Sequence, residues 1–391
     1  MKIVFIISSS FPYGEAFSSR ARNFVKLFCM KGNSVHVIAP ISNNINNLKE
    51  LEGLNYSVEY VNDPKSILTL SGFLTWKPYI KALKDYIKNN KVDIIFSSSM
   101  IFVANKINKV AKENGIPYIV EQCEWYDEST FKGKRLNPYY REHIKMIEKG
   151  YKNFDGIISI SRLFEQHYSK QQLPVLRIPT ILDVKNTKFR NVDLNRDKIK
   201  IVFAGSLGKG KEMLSTIFEA IKKINSDNEY IHMDIYGPSK NEIITNINGN
   251  ITLFNDVKEY ISIHGRIAQE LIEEKLRDAD FSIFIRPERK SSNAGFPTKL
   301  AESMSVGTPV ITNNTGDVEL YLKNEVNGFL LKDYKTETIV RTIRYILNMT
   351  KKQKEGMREQ ARKCAVESFD YKVYKESVQH FFDTCKGGYG K

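Results

Sequence analysis

The segment Asn293–Glu302, NAGFPTKLAE, combines the residue types of an anion-binding helix start. An apolar run, Phe281–Ile285, precedes it and ends at Arg286. Gly295 lets a backbone come close to a ligand, and Pro297 suits the first position of a helix. Free amides at such a start, aligned with the helix dipole, attract negative charge. Lys299 adds a full positive charge, and Glu302 follows three residues later on the same helix face. A carboxylate there cannot favour phosphate, but it can accept hydrogen bonds from ribose hydroxyls. The pattern therefore suits a nucleoside diphosphate. The plainer alternative is a helix capped by a Gly307–Pro309 turn, with Lys299 and Glu302 as a surface pair.

A second cluster, Glu121–Asp127 (EQCEWYD), directly follows an apolar run at Pro117–Val120. Trp125 and Tyr126 offer aromatic faces that could stack on an acceptor sugar. Glu124 and Asp127 offer carboxylates that could bind hydroxyls or stabilise positive charge developing on a sugar ring. The alternative is a capped loop. His36, His143, His167, His232 and His380 lack ligand spacing, so no metal site is expected, and His264 suits a satisfied core position. Cys29, Cys123, Cys364 and Cys385 are scattered, as for reduced thiols of a cytoplasmic protein. There is no GxGxxG fingerprint and no Walker loop.

The elements that must hold these clusters follow from periodicity. Strands are expected at Lys2–Ser8, Ser34–Ala39, Lys91–Phe96, Pro117–Val120 and Gly156–Ile160. Helices are expected at Ser18–Lys31, Pro78–Lys88 and Arg135–Tyr151. After a polar linker at Asp193–Lys200 the pattern restarts, with strands at Ile199–Ala204, His232–Tyr236, Tyr260–His264, Phe281–Ile285 and Pro309–Thr312. Helices alternate with them at Met213–Ile224, Ala268–Asp278 and Thr298–Val306, and Glu337–Thr384 reads as two or three more. Such alternation means α/β architecture: two doubly wound parallel sheets, with ligands beyond the C-terminal strand ends and a cleft between the halves. The domains are expected at 1–190 and 191–365, with 366–391 a helix crossing back to the first.

A chain of 391 residues suits two domains of about 150–200 residues each. Its 41% apolar and 27% charged residues are those of a soluble globular protein. No apolar run reaches the roughly 18 residues of a membrane span. Ile3–Ile7 is too short for a signal-peptide core and reads as a buried strand. The net charge of +14 favours anionic partners, although solvated lysines account for it equally well. Trp76–Lys91 is a basic amphipathic stretch that could lie on an anionic membrane surface or pack as an ordinary helix.

The segment Phe281–Val310 resembles the donor-binding motif of the retaining, nucleotide-sugar-dependent glycosyltransferases of the GT-B fold, family four (glycosyl transferases group 1). That motif has two glutamates separated by seven residues around a Gly-Phe-Pro, then Gly-Thr-Pro-Val. Glu302 matches the second glutamate and GTPVI matches Gly307–Ile311, while Gly316, Glu319 and Gly328 fall in register downstream. The first glutamate falls on Ala294; Asn293 or Glu288 could substitute for it. The resemblance covers most of the C-terminal half and is weaker in the N-terminal half. It implies two Rossmann-like domains facing a central cleft, and a donor site at Ser292, Asn293, Gly295, Phe296, Thr298, Lys299, Leu300 and Glu302. It places Gly14, in the loop Ser8–Gly14, opposite the donor phosphates, and Arg266 near the nucleotide base. Ser206 stands where the family's phosphate-clamping arginine is common, and Lys209 and Lys211 remain, Lys211 matching the family's lysine better. A fixed cation there stabilises the charge of a leaving nucleoside diphosphate. Arg286 could take part in the same way.

The resemblance implies transfer of a hexosyl or N-acetylhexosaminyl group, from a donor expected to be UDP-linked, to a hydroxyl of a glycan or lipid-linked glycan. Retention, no metal and no cofactor are expected, in bacterial surface polysaccharide or glycoconjugate synthesis on the cytoplasmic side. The catalytic expectation rests on Glu124, Asp127, Lys211 and Arg286. The alternatives are another GT-B enzyme such as a nucleotide-sugar epimerase, a degenerate nucleotide-sugar-binding protein, and a basic nucleic-acid-binding module. The last lacks a recognition motif, and no nucleic-acid partner is expected.

Overall fold

The structure is a computed structural model that describes residues 1–14, 16–40, 49–62, 76–98, 101–189, 194, 197–208 and 210–387. Its contacts divide the chain into two units, Met1–Leu182 with Tyr371–Lys391, and Asp183–Asp370.

The first unit is built on seven parallel strands: β1 (Lys2–Ile7), β2 (Ser34–Pro40), β3 (Tyr56–Val61), β4 (Ile94–Ser98), β5 (Tyr118–Gln122), β6 (Gly156–Ser159) and β7 (Val175–Arg177). Their order is β3-β2-β1-β4-β5-β6-β7, so the winding reverses between β1 and β4. Val4, Phe5 and Ile6 are fully buried because helices cover both faces of the central strand. Phe5, Phe24, Phe28 and Phe96 form an aromatic knot with centroids 4.9–6.4 Å apart. The last helix, Lys375–Gly387, belongs to this unit and sets Phe382 against Phe28 at 5.2 Å.

The second unit has six parallel strands: β8 (Ile199–Ala204), β9 (Ile231–Tyr236), β10 (Ile261–Gly265), β11 (Phe281–Ile283), β12 (Val310–Asn313) and β13 (Gly328–Leu331). Their order is β10-β9-β8-β11-β12-β13, with the reversal between β8 and β11. Arg358, on the helix Lys351–Ser368, is buried and donates to the carbonyls of Ala279 and Arg277, both at 2.7 Å.

Periodicity located the central strands but not β3, β7 or β13, nor the helices Ile101–Glu113, Arg162–Ser169, Lys240–Asn246 and Ile251–Val257. The missed strands are short or lie at sheet edges, where burial imposes the weakest pattern. Within Arg135–Tyr151 the α-helix covers Pro138–Glu148, with short 3-10 turns at Lys134–Leu136 and Gly150–Asn153, because Asn137 caps the α-helix start by accepting from the amides of Tyr139 and Tyr140. Of the expected linker Asp193–Lys200, residues 193, 195 and 196 lie outside the described residues, and its last two residues already belong to β8.

The helix Trp76–Asn89 turns Tyr79, Ile80, Ala82 and Leu83 into the unit's core. Tyr86 stacks on His36 at 3.7 Å, and Lys106 sits over the Trp76 ring at 4.0 Å. Its apolar face is thus largely packed within the unit, as in an ordinary helix, and its lysine face is exposed. No helix among the described residues is long and apolar enough to cross a membrane.

Candidate functional site

In parallel sheets the strand ends flanking a reversal of order splay apart and leave a crevice at the carboxyl edge. In the second unit that edge carries the loops after β8 and β11. Arg286 lies just beyond β11, and its backbone is fixed on both sides by one side chain. Asn313, buried at the end of β12, accepts from the Arg286 amide at 2.9 Å and donates to its carbonyl at 2.8 Å. The loop after β8, Gly205–Met213, is tied to the same edge. Met213 donates to the Ile285 carbonyl at 2.8 Å, and Asn246 donates to the Glu212 carbonyl at 2.9 Å while accepting from the Leu214 amide.

Three charged side chains meet there. The Oε1 atom of Glu212 accepts from Lys299 Nζ at 2.9 Å and from Arg286 Nε and Nη2, each at 3.3 Å. Glu212 is 1% exposed, Lys299 11% and Arg286 13%, so the group is largely shielded from screening. Lys299 also donates to the Ser206 carbonyl at 3.3 Å and lies over the Phe203 ring. Gly205 makes this possible: its φ is +128°, and a Cβ there would stand 2.9 Å from Lys299 Cε. Two cations against one carboxylate leave one net positive charge on the crevice floor.

The helix Thr298–Ser305 supplies Lys299 and Glu302. Pro297 precedes its first residue rather than occupying it, a one-position correction, because Pro297 has an extended ψ of 104°. Glu302 is only partly exposed. Loss of solvent around its carboxyl pushes it above the usual range; Lys299 pulls it down and Glu273 pushes it further up. No hydrogen bond to that carboxylate is found among the described residues.

The remaining expected donor residues separate into two sets. Ser206, Lys211, Arg266 and Asn293 are exposed, and Gly295, Thr298 and Lys299 partly so. Phe296, by contrast, is buried against Tyr321 and Phe369, and Leu300 is fully buried. A side-chain role for these two is therefore corrected: only their backbones can reach a ligand. Ser292 is also buried. Asn293 Oδ1 accepts from the Gly316 amide at 3.1 Å. Ala294, in place of the family's first glutamate, is fully buried, a position where a carboxylate would need its own partners. Lys209 lies outside the described residues. Near the end of β10, His264 is exposed at the sheet edge rather than buried in the core; it donates toward Asp234 at 2.6 Å and stacks on Tyr236 at 4.3 Å. A cavity of about 400 Å³ lined by Asp197, Lys198, Ile199, Lys200, His232 and Asp234 opens at the start of β8, the opposite end of that strand.

In the first unit, Gly14 is exposed in the loop after β1. The Glu121–Asp127 loop follows β5. Glu121 is buried and paired with Arg20, which donates to the Ile178 and Pro179 carbonyls as well; Ser98 donates to the second carboxylate oxygen. This carboxylate is structural. Trp125 is buried, stacked on Phe164 at 5.7 Å and edge-on to His167 at 5.4 Å. Its role as an acceptor-stacking face is corrected: the ring is spent on the core. Glu124, Tyr126 and Asp127 stay partly exposed. Tyr126 is placed by its amide, which donates to His143 Nε2 at 3.0 Å, with the rings 4.7 Å apart. Burial pushes the His143 imidazole down to about 4, so it is neutral and its proton sits on Nδ1, which has no partner among the described residues. His143, on the helix Pro138–Glu148, thus reaches this loop as a buried acceptor.

Sequence reading missed Glu212, Asn313 and His143. An acidic residue right after a lysine, and polar residues closing an apolar strand or helix face, were the available signals; neither specifies a partner without the fold. Among the described residues no His, Cys, Asp and Glu cluster could hold a metal.

Residues 184–364 match the family described as Glycosyl transferases group 1. No curated protein sequence matches the chain. Among solved structures, it is similar to sucrose-phosphate synthase from Thermosynechococcus elongatus, with a TM-score of 0.76, 14% identity, and coverage of 99% of this chain and 100% of that one. It is similar to Anabaena HepE in complex with UDP and glucose, with a TM-score of 0.72, 13% identity, and coverage of 98% and 100%. A glycosyltransferase from Rickettsia africae gives a TM-score of 0.70 at 15% identity, covering 98% of each chain. By these likenesses the chain has the GT-B fold of two Rossmann-like α/β domains, and its stretch 184–364 matches the glycosyl transferases group 1 family.

Proposed function

We propose that this protein is a glycosyltransferase that binds a nucleotide-sugar at the carboxyl edge of its second unit and transfers the sugar to a hydroxyl of a glycan or lipid-linked glycan. The observation that carries this is the meeting of Arg286 and Lys299 beside the loop Gly205–Met213, at the strand-order reversal of the domain that matches a glycosyltransferase family. Two shielded cations there suit a diphosphate. Glu302 then accepts from ribose hydroxyls, and the exposed Lys211 steadies charge on the departing phosphate. The UDP complex of HepE supports a uridine donor. Retention, metal independence and a hexosyl or N-acetylhexosaminyl group follow the resemblance, as does a role in bacterial surface polysaccharide or glycoconjugate synthesis. Glu124 and Asp127 are the proposed acceptor-side or charge-stabilising groups. A lipid-linked acceptor would bring the exposed lysines of Trp76–Asn89 to an anionic membrane surface, by charge alone.

Thermal melting with a panel of nucleoside diphosphates and their sugars tests this, because a ligand that binds only the folded state raises the melting temperature. The expected result is a shift with one nucleotide class, followed by sugar transfer to an acceptor glycan. If no member of the panel shifts the melt, the nucleotide site is wrong.

A further inference from the structure

We propose that Glu212 is a built-in counter-anion: it positions Arg286 and Lys299 while the cradle is empty, and its charge keeps a bound diphosphate from being held too tightly to leave. The inference rests on the nucleotide-sugar function proposed above. It starts from an asymmetry in the carboxylate. All three charge-assisted hydrogen bonds fall on Oε1, and Oε2 is buried with no hydrogen-bond partner among the described residues. A buried oxygen left without a donor is costly, so the carboxylate is not placed there for its hydrogen bonds alone. Its backbone is pinned by Asn246 and its neighbour Met213 by Ile285, so the carboxylate is held at the crevice by the fold itself.

Two effects follow. Lys299 Nζ and the Arg286 guanidinium both touch one oxygen, so they lie close enough to repel strongly; the carboxylate between them cancels that repulsion and fixes their directions. It also lowers the net charge facing a ligand from two to one. A nucleoside diphosphate product carries more negative charge than the nucleotide-sugar it came from. A less positive cradle therefore weakens the product more than the donor, and favours release.

The asymmetry gives a clean test. In Glu212→Gln the amide oxygen can keep all three bonds while the NH2 takes the place of the unpartnered oxygen, so only the charge is lost. Calorimetric titration of the full chain would use the nucleoside diphosphate that shifts the melt most, its monophosphate and inorganic pyrophosphate, at low and high salt. With Glu212→Gln we expect the diphosphate and pyrophosphate to bind roughly tenfold tighter, the monophosphate to gain less, and the gain to shrink at high salt. Turnover should fall together with KM as product release slows. Glu212→Asp, which keeps the charge, should show no such gain, and Glu212→Ala should bind more weakly because its cations lose their direction. A Gln variant that binds diphosphate like wild type or worse, or that gains equally for all three ligands, overturns the role of Glu212 while leaving the nucleotide site intact. Should folded wild-type protein bind none of the three, the nucleotide site itself is wrong and the role of Glu212 falls with it.

Discussion

At the scale of single residues, Glu302 and His143 show how burial sets both stability and function. The folded pKa of Glu302 is raised, so its ionised form is penalised by the fold: its contribution is favourable below the unfolded carboxyl range and is lost as pH rises through the folded value. Glu302→Gln should therefore raise the melting temperature of the ligand-free protein at pH 7, and this advantage should vanish near pH 4. The same change should weaken nucleoside diphosphate binding about tenfold or more, since hydrogen bonds to a charged acceptor are worth roughly 1.5–3 kcal/mol. Wild-type binding should weaken on acidification, because protonation removes an acceptor. His143 has the opposite character. Its pKa is lowered to about 4, so between the ordinary imidazole value and about 4 the unfolded chain binds the extra proton. Stability should decrease as the pH is lowered through that window, by up to roughly 3 kcal/mol from this residue. Melting curves at pH 7 and pH 5 should show the loss in wild type and a smaller one in His143→Gln.

At the scale of elements, the crevice depends on loops fixed by a few backbone contacts. Asn313→Ala removes both hydrogen bonds that hold the Arg286 backbone and should cost about 1–3 kcal/mol, with weaker diphosphate binding measured in the same titration. Gly316 packs the segment after β12 onto the end of the short helix Lys290–Ala294. Its φ is +63°, and a Cβ would meet the Gly295 carbonyl oxygen at 2.6 Å. Gly316→Ala should destabilise the second unit by about 1–3 kcal/mol and loosen the short helix that carries Asn293. Both changes lie outside the cationic group and act only through element placement.

At the scale of the whole molecule, the chain passes from the first unit to the second at residues 182–183 and returns at 370–371. The returning helix completes the first unit's core: Phe381, Phe382 and Cys385 are buried in the cluster that includes Phe5, Phe28 and Ile158. Phe382→Ala should cost about 3–5 kcal/mol, read as a lower urea midpoint with unchanged slope. The stability of the N-terminal sheet thus depends on residues at the far end of the sequence.

The sequence alone determined the periodic features. Strands such as Lys2–Ile7 are marked by continuous apolar runs, here Ile3–Ile7, because a parallel sheet buries both faces, and Gly295, Lys299 and Glu302 were marked because their types and spacing lie within one short segment. The tertiary structure decided which residues meet across long separations. Glu212 joins Arg286 and Lys299 over 74 and 87 positions, and Tyr126 joins His143 over 17. It also decided which of two chemically similar side chains faces outward. Trp125 is lost to the core while its neighbour Tyr126 stays partly exposed, because packing follows the direction of each Cβ and not the residue type.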